Sequence, residues 1–126
     1  MRRVLLALVG LALIVSCGGE GNGGESVSAD DVTVQMFDNR FEYTEITVPV
    51  GGSVTFVGAG QNAHNAVAGD DSWSTEDVFG SLEQLEGDAA TLTFDEPGDY
   101  VFFCTFHGNA EGDGMAGTLI VGPPGE

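Results

Sequence analysis

Hydrophobic and polar residues alternate in short segments from about residue 31 onward, and this alternation predicts β-strands. Successive side chains of a strand point to opposite faces of a sheet, so each segment would bury one face and expose the other. Gly51 and Gly52 follow one segment and predict a tight hairpin turn. Glu96 to Asp99 predicts another turn, because its proline fixes φ and its glycine tolerates positive φ. The positions predicted to be buried are Val32, Val34, Met36, Ile46, Val48, Val50, Val54, Phe56, Leu92 and Phe94.

Short strands separated by turn signals, without a long segment of helical periodicity, predict an all-β fold. We expect one domain over residues 31–122, a Greek-key antiparallel β-sandwich. A chain of this length can bury a modest core, which suits a closed sandwich.

The acidic segment from Asp70 to Gly87 interrupts the strand pattern. Ser74 to Asp77 is similar to a helix capping box, and Leu82 and Leu85 have helical spacing, so a short helical turn is expected there. Two aromatic residues of the segment are expected to cover one end of the core, and these are Trp73 and Phe79.

Side chains that bind metals are concentrated in one stretch near the C-terminus. Alternation places Phe102 and Cys104 on the same face of a strand, so the thiol would point into the core. His107 and Met115 follow in a glycine-rich loop, and His64 lies forty residues before Cys104, where strand pairing could bring it alongside. Two imidazoles, a thiolate and a weak thioether form the donor set of a copper electron-transfer site. Zinc is the main rival, but a thioether is a poor fourth ligand for zinc.

Three short motifs carry a resemblance to a known family: His64-Asn65, Cys104-Thr105-Phe106-His107 and Met115-Ala116-Gly117. Over residues 31–121 the chain resembles the small blue copper proteins, or cupredoxins, and within them the plastocyanin, halocyanin and amicyanin group. The chain departs from the pattern in one respect. Seven residues, 108–114, separate the loop histidine from the methionine, which is longer than the family's commonest loops.

The resemblance implies a cupredoxin-like fold with one type 1 copper per chain, bound by His64, Cys104, His107 and an axial Met115. It also implies that Asn65 ties its loop to Thr105. The cofactor would be copper, and the protein would be an electron carrier and not an enzyme. The copper oxidases and nitrite reductases of the wider family need further histidines for a second copper centre, whereas the two histidines of this chain are both used by one site.

The N-terminus has the pattern of an export signal. Residues 1–16 combine two arginines with a short apolar run, which predicts a signal peptide. Ile14 to Gly18 resembles a lipobox, so Cys17 is the predicted lipid anchor; the alternative is an ordinary signal with a chance cysteine. Residues 17–30 are rich in glycine and predict a flexible linker, and residues 123–126 form a C-terminal tail.

The charge is strongly acidic and limits the choice of partners. The formal net charge is −17, with three basic residues and no lysine, and Arg2 and Arg3 would leave with the signal. Nucleic acid and anionic lipid head groups are therefore poor direct partners, and no nucleic-acid binding is expected. Two explanations stay open: an acidic surface that steers a basic redox partner, or adaptation to high salt, where screening would remove most steering.

These observations predict an exported, membrane-tethered blue copper protein that shuttles single electrons. We expect a monomer on the outer face of the cytoplasmic membrane or in the periplasm, with a c-type cytochrome or a membrane oxidase or reductase as partner. One alternative is a lipoprotein that binds and delivers copper without shuttling electrons. A second alternative is a metal-free sandwich used for adhesion or ligand binding.

Overall fold

The computed structural model describes residues 24–122 and shows eight strands and one short helix. The predicted signal peptide, the predicted lipid anchor Cys17 and the C-terminal tail lie outside the described residues. The elements in chain order are β1 (Glu25–Ser28), β2 (Asp31–Met36), β3 (Tyr43–Pro49), β4 (Gly52–Gly58), β5 (Val67–Ala68), α1 (Glu76–Phe79), β6 (Ala89–Phe94), β7 (Gly98–Gly108) and β8 (Gly114–Gly122).

The strands form two sheets, one of five strands in the order β1-β3-β8-β7-β5 and one of three in the order β2-β4-β6. The predicted β-sandwich is confirmed, but its sheets are mixed. Three neighbouring pairs are parallel, β1 with β3, β3 with β8 and β2 with β4, and the other three are antiparallel. The chain passes to the opposite sheet after each of the strands β1 to β6, whereas β7 and β8 are neighbours in one sheet. Among neighbours two apart in sequence, β1 with β3 and β2 with β4 run parallel, whereas β4 with β6 and β5 with β7 run antiparallel.

The turn at Gly51 and Gly52 is not a hairpin, which corrects the sequence prediction. It carries the chain from β3 in one sheet to β4 in the other. Gly51 has the positive φ that was expected, at 90°. Its backbone N–H donates to the carbonyl of Phe94, and the N–H of Val50 donates to the carbonyl of Gly122, each at 2.7 Å. The turn is therefore fixed by bonds to both sheets.

Strand β1 lies inside the segment predicted as linker, so the folded part of the chain begins earlier than residue 31. It runs parallel to β3, with Val27 opposite Ile46, and the N–H of Ala29 donates to the carbonyl of Thr47 at 3.1 Å. The side chain of Val27 packs against the core. An apolar side chain and an open strand edge are enough to order a segment whose composition predicts flexibility.

The core lies between the two sheets, where the inward positions of the alternating segments are buried as predicted, except Val50, which is only partly buried. An aromatic cluster fills it near the centre. The rings of Phe41 and Phe102 meet edge to face at 4.8 Å, and Phe56 stacks on Trp73 at 6.1 Å. Such contacts exclude water and hold the inner face of β7 in place.

The acidic segment contains one helical turn, α1, as the sequence suggests. The N–H of Ser74 donates to the Asp77 carboxylate and the Ser74 hydroxyl accepts from the N–H of Glu76, each at 3.1 Å. Leu82 and Leu85 lie outside the helix and are exposed, so their helical spacing has no structural meaning. Trp73 is buried in the core, whereas Phe79 is only partly covered. Within residues 24–122 no helix has the length and apolar character needed to span a membrane.

Candidate metal centre

Cys104 lies near the end of β7 on its buried face. Phe102 and Cys104 are both fully buried, as alternation predicts. The pairing of β7 with β8 stops after Phe103, opposite Ala116, and resumes only at Gly108, opposite Gly114. The residues between these two pairs are therefore released from the regular ladder. Irregularities of this kind re-aim side chains next to functional sites.

The side chain of His64 is fully buried, and hydrogen bonds of its backbone fix its position. It forms an isolated two-way bridge with Gln84: the N–H of each donates to the carbonyl of the other, at 3.1 and 3.0 Å. The amide of Gln84 donates to the carbonyls of Phe56, at 3.0 Å, and Asp88, at 3.2 Å. The loop that carries His64 is thereby fixed to β4. Sequence reasoning missed Gln84, because nothing in its local sequence distinguishes it from a surface glutamine.

The folded chain brings His64 and Cys104 together. Nδ1 of His64 lies 3.8 Å from Sγ of Cys104. A trigonal metal bound about 2.0 Å from an imidazole nitrogen and about 2.3 Å from a thiolate sulfur separates these two donor atoms by about 3.7 Å. The spacing of the two side chains therefore fits a shared metal ion.

His107 lies beside this pair at the protein surface. Its ring centroid is 5.2 Å from that of His64, and its side chain is exposed. Within residues 24–122, no three side chains of His, Cys, Asp or Glu are grouped closely enough to hold a metal ion by themselves. The centre thus consists of a buried pair, His64 and Cys104, with an outer histidine next to it.

Met115 is buried at the start of β8, beyond a loop that is closed at its base. Gly108 pairs with Gly114, and a Cβ on either glycine would overlap backbone atoms of the other strand. Within the loop, Oδ1 of Asn109 accepts from the N–H groups of Glu111 and Asp113, at 3.0 and 3.1 Å. Residues 109–113 therefore form a turn closed by the Gly108–Gly114 pair, and the chain returns to the core directly after it.

Asn65 joins the two segments that carry His64 and Cys104. Its amide donates to the hydroxyl of Thr105 at 2.8 Å, and its carbonyl oxygen accepts from the N–H of Thr105 at 2.9 Å. The same amide donates to the carbonyl of Leu82 at 2.9 Å. Residues forty positions apart in sequence are thus fastened to each other next to His64 and Cys104.

Asp38 is a member of the centre that sequence reasoning missed. Its Oδ1 lies 3.3 Å from Nε2 of His64 and accepts from the N–H groups of Gln61, at 2.8 Å, and Asn62, at 3.1 Å. The hydrogen bonds from Asn62 and then from His64 hold the pKa of Asp38 below its ordinary value. It precedes His64 by 26 residues and is one of 20 acidic residues, so only the folded structure reveals the contact.

The chain is similar to known copper proteins over nearly all of its described length. Residues 28–122 match the family model described as copper binding proteins, plastocyanin/azurin family. The sequence is 35% identical over 104 residues to chloroplastic plastocyanin of Physcomitrium patens, an alignment that covers 75% of this chain and 60% of that protein. It is 31% identical over 100 residues to plastocyanin of Scenedesmus fuscus, covering 72% of this chain and 99% of the relative.

A solved structure shares the fold. The oxidised form of plastocyanin from Dryopteris crassirhizoma superposes with a TM-score of 0.54 at 26% identity. The superposition covers 71% of this chain and 98% of the plastocyanin. The predicted cupredoxin-like sandwich is therefore confirmed.

Proposed function

The chain belongs to the plastocyanin/azurin family of copper-binding proteins, and we propose that it is a type 1 blue copper protein that carries single electrons between larger redox partners. Plastocyanins at 31% and 35% identity support this proposal. The observation that carries it is the separation of 3.8 Å between His64 Nδ1 and Cys104 Sγ in a fully buried pocket. The protein is an electron carrier and does no bond chemistry of its own.

The proposed ligands are the four donors of the sequence motifs. His64 and Cys104 form the preformed inner pair, and the exposed side chain of His107 would complete the trigonal set. Met115, which is buried at the base of the closed loop, would be the weak axial donor. Copper, when bound, supplies the one-electron change between the cuprous and cupric states.

The protein's own contribution is to keep the donors in place and the site dry. Electron transfer is fast when little rearrangement accompanies the change of charge, and the donor set of two histidines, a thiolate and a distant thioether suits both copper states. The Asn65–Thr105 bonds hold the segments carrying His64 and Cys104 at a fixed distance. Phe102, which is fully buried two residues before Cys104, helps to exclude water from the thiolate.

Electrons would enter and leave through the exposed edge of His107. Phe106 next to it is 46% exposed, which is high for a phenylalanine, and its ring centroid lies 6.4 Å from that of His107. An apolar surface beside a partly exposed ligand lets a partner approach closely without desolvating charges. We propose a c-type cytochrome or a membrane oxidase or reductase as that partner, with the acidic surface favouring a basic one.

The N-terminal sequence supports a proposal for the location of the protein. The pattern of residues 1–18 supports export and lipidation at Cys17, which would leave the carrier on the outer face of the cytoplasmic membrane or in the periplasm. Strand β1 starts at Glu25, so the proposed tether is shorter than the linker first predicted. Mass spectrometry of the membrane fraction tests the anchor, because an unmodified Cys17 in the mature protein contradicts it.

An absorption spectrum of the copper-loaded protein tests the function. We expect an intense visible band from the thiolate–copper bond in the oxidised protein, and its loss on reduction. A copper-delivery lipoprotein instead predicts slow electron self-exchange and ready transfer of Cu(I) to a chelator. A colourless protein after copper loading would contradict both the ligand set and the carrier role.

A further inference from the structure

We propose that Asp38 is a positioning residue of the metal centre, which orients the ring of His64 and lowers the reduction potential of the bound metal. The inference rests on the proposed function and names a residue outside the four donors. It is carried by the geometry at Nε2 of His64, the nitrogen that faces away from Cys104.

The carboxylate determines which ring nitrogen of His64 carries the proton. An ionised carboxylate can only accept, so the contact at 3.3 Å requires Nε2 of His64 to donate. The neutral ring then keeps a free lone pair on Nδ1, the atom 3.8 Å from the thiol of Cys104. Asp38 therefore holds the ring in the form that binds a metal before any metal arrives.

The position of the carboxylate is itself well determined. The same oxygen, Oδ1, accepts from two consecutive backbone N–H groups, those of Gln61 and Asn62. A Cβ on Gly60 would overlap this carboxylate, so only a glycine permits the close approach. Three donors and one glycine thus fix Asp38 against the loop that carries His64, although its side chain is 39% exposed.

A negative charge at this position favours the more highly charged oxidation state. The carboxylate is one imidazole ring away from the metal ligand atom, and the ring is fully buried, so water screens the interaction incompletely. A hydrogen bond from the outer nitrogen to a carboxylate also makes the ligating nitrogen more basic. Both effects stabilise the oxidised form more than the reduced form.

The test is the reduction potential of copper-loaded Asp38→Asn. The amide keeps an oxygen acceptor of the same size but removes the charge. Loss of such an outer partner typically costs about 10- to 100-fold in metal affinity. We expect the ratio of Cu(II) to Cu(I) affinity to fall at least about tenfold, which raises the potential by about 59 mV for a one-electron couple.

The matched control is Asp31→Asn, which removes the same charge at the other end of β2. The carboxylate of Asp31 also accepts a hydrogen bond, from the hydroxyl of Ser53 at 2.8 Å. Asp31 lies about 16 Å from Met36, which is at the end of β2 next to Asp38. This distance exceeds the screening length of physiological salt, so removing the charge of Asp31 should leave the reduction potential unchanged. A second variant, Gly60→Ala, displaces the Asp38 carboxylate without changing the net charge and should raise the potential.

The second measurement is the Nε2–H signal of His64 in nitrogen-15 NMR of the Cu(I) protein. We expect slow proton exchange in the wild type and faster exchange in Gly60→Ala. The inference is overturned if the reduction potential of Asp38→Asn is no higher than that of Asp31→Asn. If Asp38→Asn does not fold, the inference is overturned by a Gly60→Ala variant whose reduction potential equals that of the wild type. Failure of the proposed function is a different result, because the wild type would then lack the visible band altogether.

Discussion

Asn65 and Thr105 are joined by two hydrogen bonds, of 2.8 and 2.9 Å, in opposite directions. One bond uses the hydroxyl of Thr105 and the other its backbone N–H, so the amide of Asn65 acts as a bridge between two segments forty residues apart. The bridge runs beside the buried pair of His64 and Cys104.

The Asn65 bridge should contribute to stability even without metal. Asn65→Ala removes the three hydrogen bonds of the side-chain amide, and a hydrogen bond of this kind contributes about 0.5–1.5 kcal/mol to stability. Thermal unfolding of the apoprotein measures this, with Asn39→Ala as a control at an exposed asparagine. Equal melting temperatures for the two variants would mean that the bridge contributes nothing to the fold.

Cys104→Ser should abolish the visible band of the copper protein and leave the sandwich folded. The serine oxygen is a poor replacement for a thiolate as a soft ligand, whereas the core around it consists of side chains that do not depend on the metal. Absorption and far-ultraviolet circular dichroism measure the two outcomes separately. Survival of the band would disprove the proposed bond to this sulfur.

Met115→Leu should keep the blue colour and raise the reduction potential. Leucine fills a similar volume in the buried site but donates no electrons, so the oxidised form loses a weak axial ligand. Voltammetry and the absorption spectrum measure the effect. An unchanged potential and spectrum would mean that another group occupies the axial position.

Gly114→Ala should destabilise the ligand loop more than an equivalent change elsewhere. Gly114 has φ 73°, and an added Cβ would overlap the carbonyl oxygen of His107. The control is Gly87→Ala, where φ is 88° but no atom lies within 4 Å of the added Cβ. Gly87→Ala should lose only about 1–2 kcal/mol of stability, from backbone strain at positive φ, whereas Gly114→Ala should also lose stability through the clash. Chemical unfolding of both apoproteins compares them; equal losses would show that the loop base tolerates widening.

The carboxylate of Asp70 should make a small part of the stability depend on pH. The side-chain hydroxyl of Ser72, at 2.6 Å, is the main cause that lowers the pKa of Asp70 from its ordinary 3.8. Because the pKa of Asp70 is lower in the folded state, the unfolded state binds more protons than the folded state as the pH falls. The contribution of Asp70 to stability is therefore present above the unfolded pKa and is lost as the pH falls through the folded pKa. The melting temperature of Ser72→Ala should therefore lie below that of the wild type at neutral pH and approach it in acid. A difference that is constant with pH would contradict the assignment.

The strand pattern was sufficient to predict the sandwich, because alternation records directly which face of each strand is buried. It could not predict the mixed sheets, since parallel and antiparallel neighbours impose the same alternation on a strand such as β3. For the same reason the glycines at 51 and 52 suggested a hairpin, although the turn crosses between sheets. Strand β1 was missed because a four-residue edge strand with one packed valine leaves almost no pattern.

The four donors were accessible from the sequence because cysteine, histidine and methionine are rare here and sit in short motifs. Of the residues that hold the donors in place, only some could be predicted from the sequence. Asn65 follows a donor directly and was found, but Asp38 and Gln84 contact His64 from distant segments and belong to residue types that are common on surfaces. The roles of the donors as ligands stay a prediction until a metal-loaded protein is measured.

The pairing of Gly108 with Gly114 closes the base of the loop and separates its exposed tip from the buried Met115. Asn109 organises the residues between the two glycines through hydrogen bonds within the loop, so we expect substitutions there to leave Met115 in place. The sequence of the tip could therefore change without a change in the reduction potential of the proposed centre. We therefore expect changes in residues 109–113 to alter the surface next to His107 and to leave the buried donors His64, Cys104 and Met115 unchanged.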